Sequence, residues 1–149
     1  MFDIILNPDD QAALRPQPLF MTPVHAGFPS PADDYIEGKL DLNEYLVRHP
    51  AATYFVRATG DSMIEDGIRP GDILVVDRAL ETVDGSIVIA AVDGELTVKR
   101  LRISAGRLFL VPGNEDYHPI EVTEDMDSRI WGVVTAVIHE LRGRHRAGR

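Results

Sequence analysis

A chain of 149 residues with 44% hydrophobic content is long enough to bury one core without disulfides or metals. Its formal charge of −9 argues against direct binding to nucleic acid, which needs a basic surface, and the absence of cysteine excludes disulfides, thiolate metal sites and cysteine nucleophiles. The histidines show no metal-ligand spacing, no apolar run reaches membrane-spanning length, and the N-terminus lacks a signal-peptide pattern. No metal, cofactor or membrane is therefore expected, and the protein reads as cytoplasmic.

Phe2 to Leu6 is a short apolar segment, followed by Asn7-Pro8-Asp9-Asp10, which reads as the cap and first turn of a short helix ending near Leu14. Prolines at 16, 18, 23, 29 and 31 then forbid a lasting helix or a central strand. They predict an extended arm, with Val24-His25-Ala26-Gly27-Phe28 in its middle. Such an arm is either a flexible linker or a substrate, since extended backbone with two small residues at its centre is the form a protease cleft accepts. Asp41-Leu42-Asn43-Glu44 opens a helix with Asp41 in the capping place, and Pro50 stops it near His49. Residues 53–57, 73–77, 86–92, 95–101, 107–111 and 130–140 are β-branched or apolar runs between Gly, Pro and Asp turns, and Val92-Asp93-Gly94-Glu95 is a two-residue hairpin signal. This pattern predicts a mainly β fold, compact and mostly antiparallel, with a few short helices. The last residues, 142–149, read as a basic, disordered tail.

Between the first two of those strands lies Ala58-Thr59-Gly60-Asp61-Ser62-Met63. A serine just past a strand end, on a glycine-assisted turn, presents its hydroxyl and its amide together, as suits a nucleophile that helps to form its own oxyanion hole. Asp and Ser are also ordinary turn and capping residues, so the motif alone is weak. Lys99 strengthens it. Of 15 basic residues only Lys39 and Lys99 are lysines, the rest being arginine, and what lysine can do that arginine cannot is lose its proton. Strict alternation puts Thr97, Lys99 and Leu101 on one face of their strand, which fits a partly desolvated ammonium, although a solvated strand lysine is the commoner case. At its ordinary pKa only about one such lysine in 2,500 is neutral at pH 7, and burial depresses a lysine by up to roughly 3–5 units, so a base role is feasible. Asp61, the other candidate base in the motif, is too weak at an ordinary carboxylate pKa.

Ala26-Gly27-Phe28-Pro29-Ser30-Pro31-Ala32, Tyr54-Phe55-Val56, Gly60-Asp61-Ser62-Met63, Gly71-Asp72, Val75 to Asp77, Asp84-Gly85, Ile87 to Glu95, Thr97-Val98-Lys99 and Gly132-Val133-Val134 follow one another in a consistent order. That order, over about four-fifths of the chain, resembles the UmuD family of self-cleaving SOS-mutagenesis accessory proteins and, more distantly, the catalytic half of LexA-type repressors. The resemblance implies that Ser62 is the nucleophile, Lys99 the general base, and the Ala26–Gly27 bond the target. On the resemblance, the UmuD-type members of the family carry Cys-Gly at that bond, whereas this chain has Ala26-Gly27 as the LexA repressors do. The implied organisation is a cleavable arm over 1–26, a β-rich LexA/UmuD-type peptidase domain over 27–141, and the tail. Implied partners are a second copy of the chain, a RecA filament on single-stranded DNA as activator, and a UmuC-type translesion polymerase served by the processed dimer. A signal peptidase also uses a Ser–Lys pair but needs a membrane anchor or a large apolar docking surface. A repressor needs a DNA-binding domain, for which 26 residues before Gly27 are too few. The remaining alternative is a cleavage-inactive binding module of the same fold, regulating a polymerase or repressor.

Overall fold

The computed structural model describes residues 3–6, 17–20 and 36–143. In chain order its elements are β1 (Asp3–Leu6), β2 (Gln17–Phe20), β3 (Ile36–Leu40), α1 (Leu42–Leu46), β4 (Thr53–Arg57), β5 (Ile73–Asp77), β6 (Ile87–Val92), β7 (Glu95–Ser104), β8 (Arg107–Val111), β9 (Ile120–Val122) and β10 (Ser128–Ile138). The mainly β expectation holds. Eight strands form one sheet in the order β1-β4-β5-β10-β6-β7-β8-β9, and β2 pairs with β3 in a separate ribbon. Every ladder is antiparallel. The expected hairpin joins β6 to β7, with Val92 opposite Glu95. Asp93 and Gly94 both take left-handed backbone there, at φ 49° and 84°, as a turn matched to the strand twist requires.

Alternation along β6 divides the interior in two. Ile87 and Ile89 point into a cluster with Val56, Ala58, Met63, Ile68, Leu74, Val76 and Val98, whereas Val88, Ala90 and Val92 pack with Leu101 and Leu110. Both faces of the central strands are thus covered. Lys99 stands opposite Val88 and so shares the second face.

Several boundaries differ from expectation. The helix α1 begins as predicted, with the Asp41 carboxylate accepting the Asn43 and Glu44 amides at 2.9 and 3.3 Å. It ends at Leu46 and not near His49, because Val47 is already extended and the His49 ring reaches away to Asp77 at 2.6 Å. The strand β9 gave no signal, being three residues directly after Pro119, too short to show alternation. Asp3–Leu6 adds to the free edge of β4, and Gln17–Phe20 pairs with Ile36–Leu40 despite Pro18, which a two-stranded ribbon tolerates. The helix expected after Asn7, the Ala26–Gly27 bond and residues 144–149 of the tail lie outside the described residues.

Candidate active site

The chain leaves β4 through Ala58, whose amide donates to the Asp72 carbonyl and whose carbonyl accepts the Gly71 amide, each at 2.8 Å. These bonds fix the start of the turn that carries Ser62. Its far end is fixed by Met63, which is 1% exposed within the first cluster, with its sulfur 3.2 Å from the Gly113 amide. A short 3-10 turn follows over Ile64–Asp66. The Glu65 amide donates to the Gly113 carbonyl at 2.7 Å, and the Asp66 carboxylate accepts Nε and Nη2 of Arg100 at 3.2 and 2.6 Å. Gly113 approaches this turn so closely that an added Cβ would overlap the Asp66 carboxylate. Replacing Met63 by Ala should cost about 2–5 kcal/mol of stability, the range for emptying such a core site. It should also slow any reaction at Ser62, since the turn loses its anchor; denaturant melts alongside a self-cleavage assay check both effects.

Within this frame Lys99 Nζ lies 2.9 Å from Ser62 Oγ, across a sequence separation of 37 residues. Its other neighbours are Thr97 Oγ1 at 2.6 Å and the Val98 carbonyl at 3.0 Å. The residue is only 9% exposed, so the solvated-lysine reading does not hold. Burial pushes its pKa below the ordinary lysine value of 10.5, because the charged form loses hydration. The three contacts serve both protonation states. An ammonium donates to all three oxygens; a neutral amine donates to Thr97 and Val98 and turns its lone pair to the Ser62 hydroxyl. The Asp61 carboxylate is engaged elsewhere, accepting the Tyr117 hydroxyl at 2.7 Å.

The structure therefore brings Ser62 and Lys99 together, while Ala26 and Gly27 fall outside the described residues. Sequence reasoning missed Asp66, Arg100, Asn114 and Tyr117. The Asn114 amide nitrogen donates to the Asp61 carbonyl at 2.9 Å, so the loop between β8 and β9 grips the serine turn directly. Contacts spanning some 34 to 56 residues leave no local periodicity to read. Two histidines, which show no metal-ligand spacing in the sequence, have carboxylate partners. The rings of His49 and His139 are partly exposed, but each lies 2.6 Å from a buried carboxylate, that of Asp77 and Asp72 respectively.

With this geometry in hand, residues 18–135 match the family model described as Peptidase S24-like. The chain is 50% identical over 139 residues to protein SamA of Salmonella typhimurium strain LT2, covering 93% of this chain and 96% of SamA. It is 49% identical over 119 residues to protein MucA of Escherichia coli, covering 79% and 81% of the two chains. It is 41% identical over 119 residues to the LexA repressor of Xylella fastidiosa, covering 80% of this chain and 56% of the repressor.

Proposed function

The chain belongs to the Peptidase S24-like family, as a UmuD-like, self-cleaving serine peptidase of the SOS response, and on that premise we propose that Ser62 and Lys99 are its nucleophile and general base and that Ala26–Gly27 is the bond they cut. The observation that carries this reading is the 2.9 Å approach of Lys99 Nζ to Ser62 Oγ, made by a lysine that is largely out of water.

In the first step neutral Lys99 accepts the Ser62 hydroxyl proton as Oγ attacks the Ala26 carbonyl carbon. The carbonyl oxygen becomes an oxyanion, stabilised by backbone amides of the serine turn. The amides of Ile64, Glu65 and Asp66 are committed to Asp61, Gly113 and Met63, whereas those of Ser62 and Met63 make no backbone hydrogen bond among the described residues. The carbon–nitrogen bond to Gly27 then breaks, and the protonated Lys99 gives its proton to the departing amine. Water, losing a proton to Lys99, hydrolyses the acyl-serine and leaves a carboxylate on Ala26. The Thr97 hydroxyl and Val98 carbonyl hold Nζ toward Ser62 throughout.

The domain plan that follows is a cleavable arm over 1–26, a peptidase domain over 27–141 and a basic tail. By analogy with the family, a RecA filament on single-stranded DNA stimulates the cut in the cytoplasm, and the processed dimer serves a UmuC-type translesion polymerase. No described helix is long and apolar enough to cross a membrane. Intact-mass measurement of the purified protein, with and without RecA, single-stranded DNA and nucleotide, tests the cleavage reading. A cut that needs no Ser62, or that falls elsewhere in the arm, overturns it. The fragment starting at Gly27 is further expected to remain a homodimer in light scattering at micromolar concentration; a monomer there contradicts the dimer assignment.

A further inference from the structure

Resting on that reading of Ser62, we infer that Asn114 is a positioning residue that aims the Ser62 amide at the oxyanion. Its Nδ2 donates to the Asp61 carbonyl at 2.9 Å, and the Ile64 amide donates to the same oxygen at 3.3 Å. The Asp61 carbonyl and the Ser62 N–H belong to one planar peptide unit, in which a trans bond points the two groups in opposite directions. No cis peptide bond occurs among the described residues. Holding the carbonyl toward the β8–β9 loop therefore turns the Ser62 N–H away from that loop, where it meets no backbone acceptor among the described residues. If this peptide rotated by half a turn, a carbonyl oxygen would face the developing negative charge in place of a donor.

Asn114 is itself held in the orientation this requires. Its Oδ1 accepts the Asp116 amide at 2.9 Å, which leaves Nδ2 as the atom that faces Asp61. Its carbonyl accepts the Tyr117 amide at 3.1 Å, and the Tyr117 hydroxyl returns to Asp61 Oδ1 at 2.7 Å. The Asp61 carboxylate, by accepting that proton, raises the phenol above its ordinary range. The second tie to Asp61 is therefore held further into the alkaline range than an ordinary phenol would hold it.

The test measures self-cleavage of the full chain by intact mass over an alkaline pH series, for the unaltered protein, Asn114→Ala, Asn114→Asp and Ser62→Ala. Removing an oxyanion-hole donor outright costs about 10²–10³ in rate; freeing one to rotate should cost Asn114→Ala roughly tenfold to a hundredfold. Asn114→Asp has nearly the same shape without the donor and should fall at least as far, so it carries the test if the alanine variant folds poorly. In both variants the pH midpoint should stay where it is, because Thr97 and Val98, the partners of Lys99, are untouched on β7. A general loosening of the site would hydrate Lys99 and move the midpoint up toward the ordinary lysine value. Rates equal to the unaltered protein, or a loss accompanied by that upward move, overturn the inference. Ser62→Ala separates the two levels: if it still cuts, the reading of the site fails, and if it is inert while both Asn114 variants cut normally, only the role of Asn114 fails.

Discussion

Lys99→Arg is expected to abolish self-cleavage at every pH. Arginine keeps the positive charge and much of the bulk, yet it stays protonated and cannot take the Ser62 proton. The loss should match that of Ser62→Ala, on the order of 10⁶ for removing a nucleophile or its base in a serine protease. In the unaltered protein the unstimulated rate should rise with pH, because only the neutral amine reacts. Since burial holds the Lys99 pKa below 10.5, that rise should reach its midpoint below 10.5. The same shift has a stability consequence of opposite sign to an ion pair. A lysine whose folded pKa is depressed destabilises the fold while its ammonium is buried, and this penalty fades as pH rises from the folded value to the unfolded one. Thermal melting of Lys99→Arg should show the fold retained. Lys39→Arg, at an exposed position in β3, should leave cleavage almost untouched. If Lys99→Arg still cuts with the original pH profile, another group is the base.

Gly27→Glu should block processing as completely while leaving the domain folded. The attack needs the Ala26 carbonyl within reach of Ser62 Oγ, and a pair of small residues offers the least obstruction to that approach. Glutamate next to the scissile carbonyl adds bulk and a charge that must be desolvated as the bond enters the site. Intact mass of the unaltered protein should reveal a product of residues 27–149, 123 in all, and the variant should remain at full length. Cutting at this bond would also divide two strand pairs, since β1 and β2 lie before it, whereas their partners β4 and β3 lie after it. The arm is therefore more than a tether. A variant that is processed at the normal rate, or a product that begins elsewhere, removes Ala26–Gly27 as the target.

Much of this was legible in the sequence because it is written in local chemistry. β-branched and apolar runs between turn residues located β4, β5 and β8 with their ends in place, since a strand covered on both faces, as Ile73–Asp77 is, must be apolar along nearly its whole length. The Asp93-Gly94 hairpin and the Asp41 cap were equally local, each depending on backbone preferences a few residues wide. The proposed nucleophile and base could be nominated for a chemical reason: a serine on a strand-end turn, and one of only two lysines in a chain that otherwise uses arginine. Alternation even placed Thr97 beside Lys99, where its hydroxyl now holds Nζ.

The tertiary structure decided what depends on distance through space. It set the 2.9 Å between Ser62 and Lys99, and it removed Lys99 from water by packing it in the sheet between β6 and β8. It brought Asn114 and Tyr117 onto Asp61 and Arg100 onto Asp66, contacts in which polar residues ordinary in isolation acquire a role. It also recruited β1 from the apolar segment at the start of the chain, onto the open edge of β4, and β2 from the proline-rich stretch into a ribbon with β3, because an unpaired strand edge accepts backbone hydrogen bonds from almost any extended segment. A sequence records which groups a chain has available and which local shapes they prefer. Which of them lose their water and meet is settled only when the long-range ladders close.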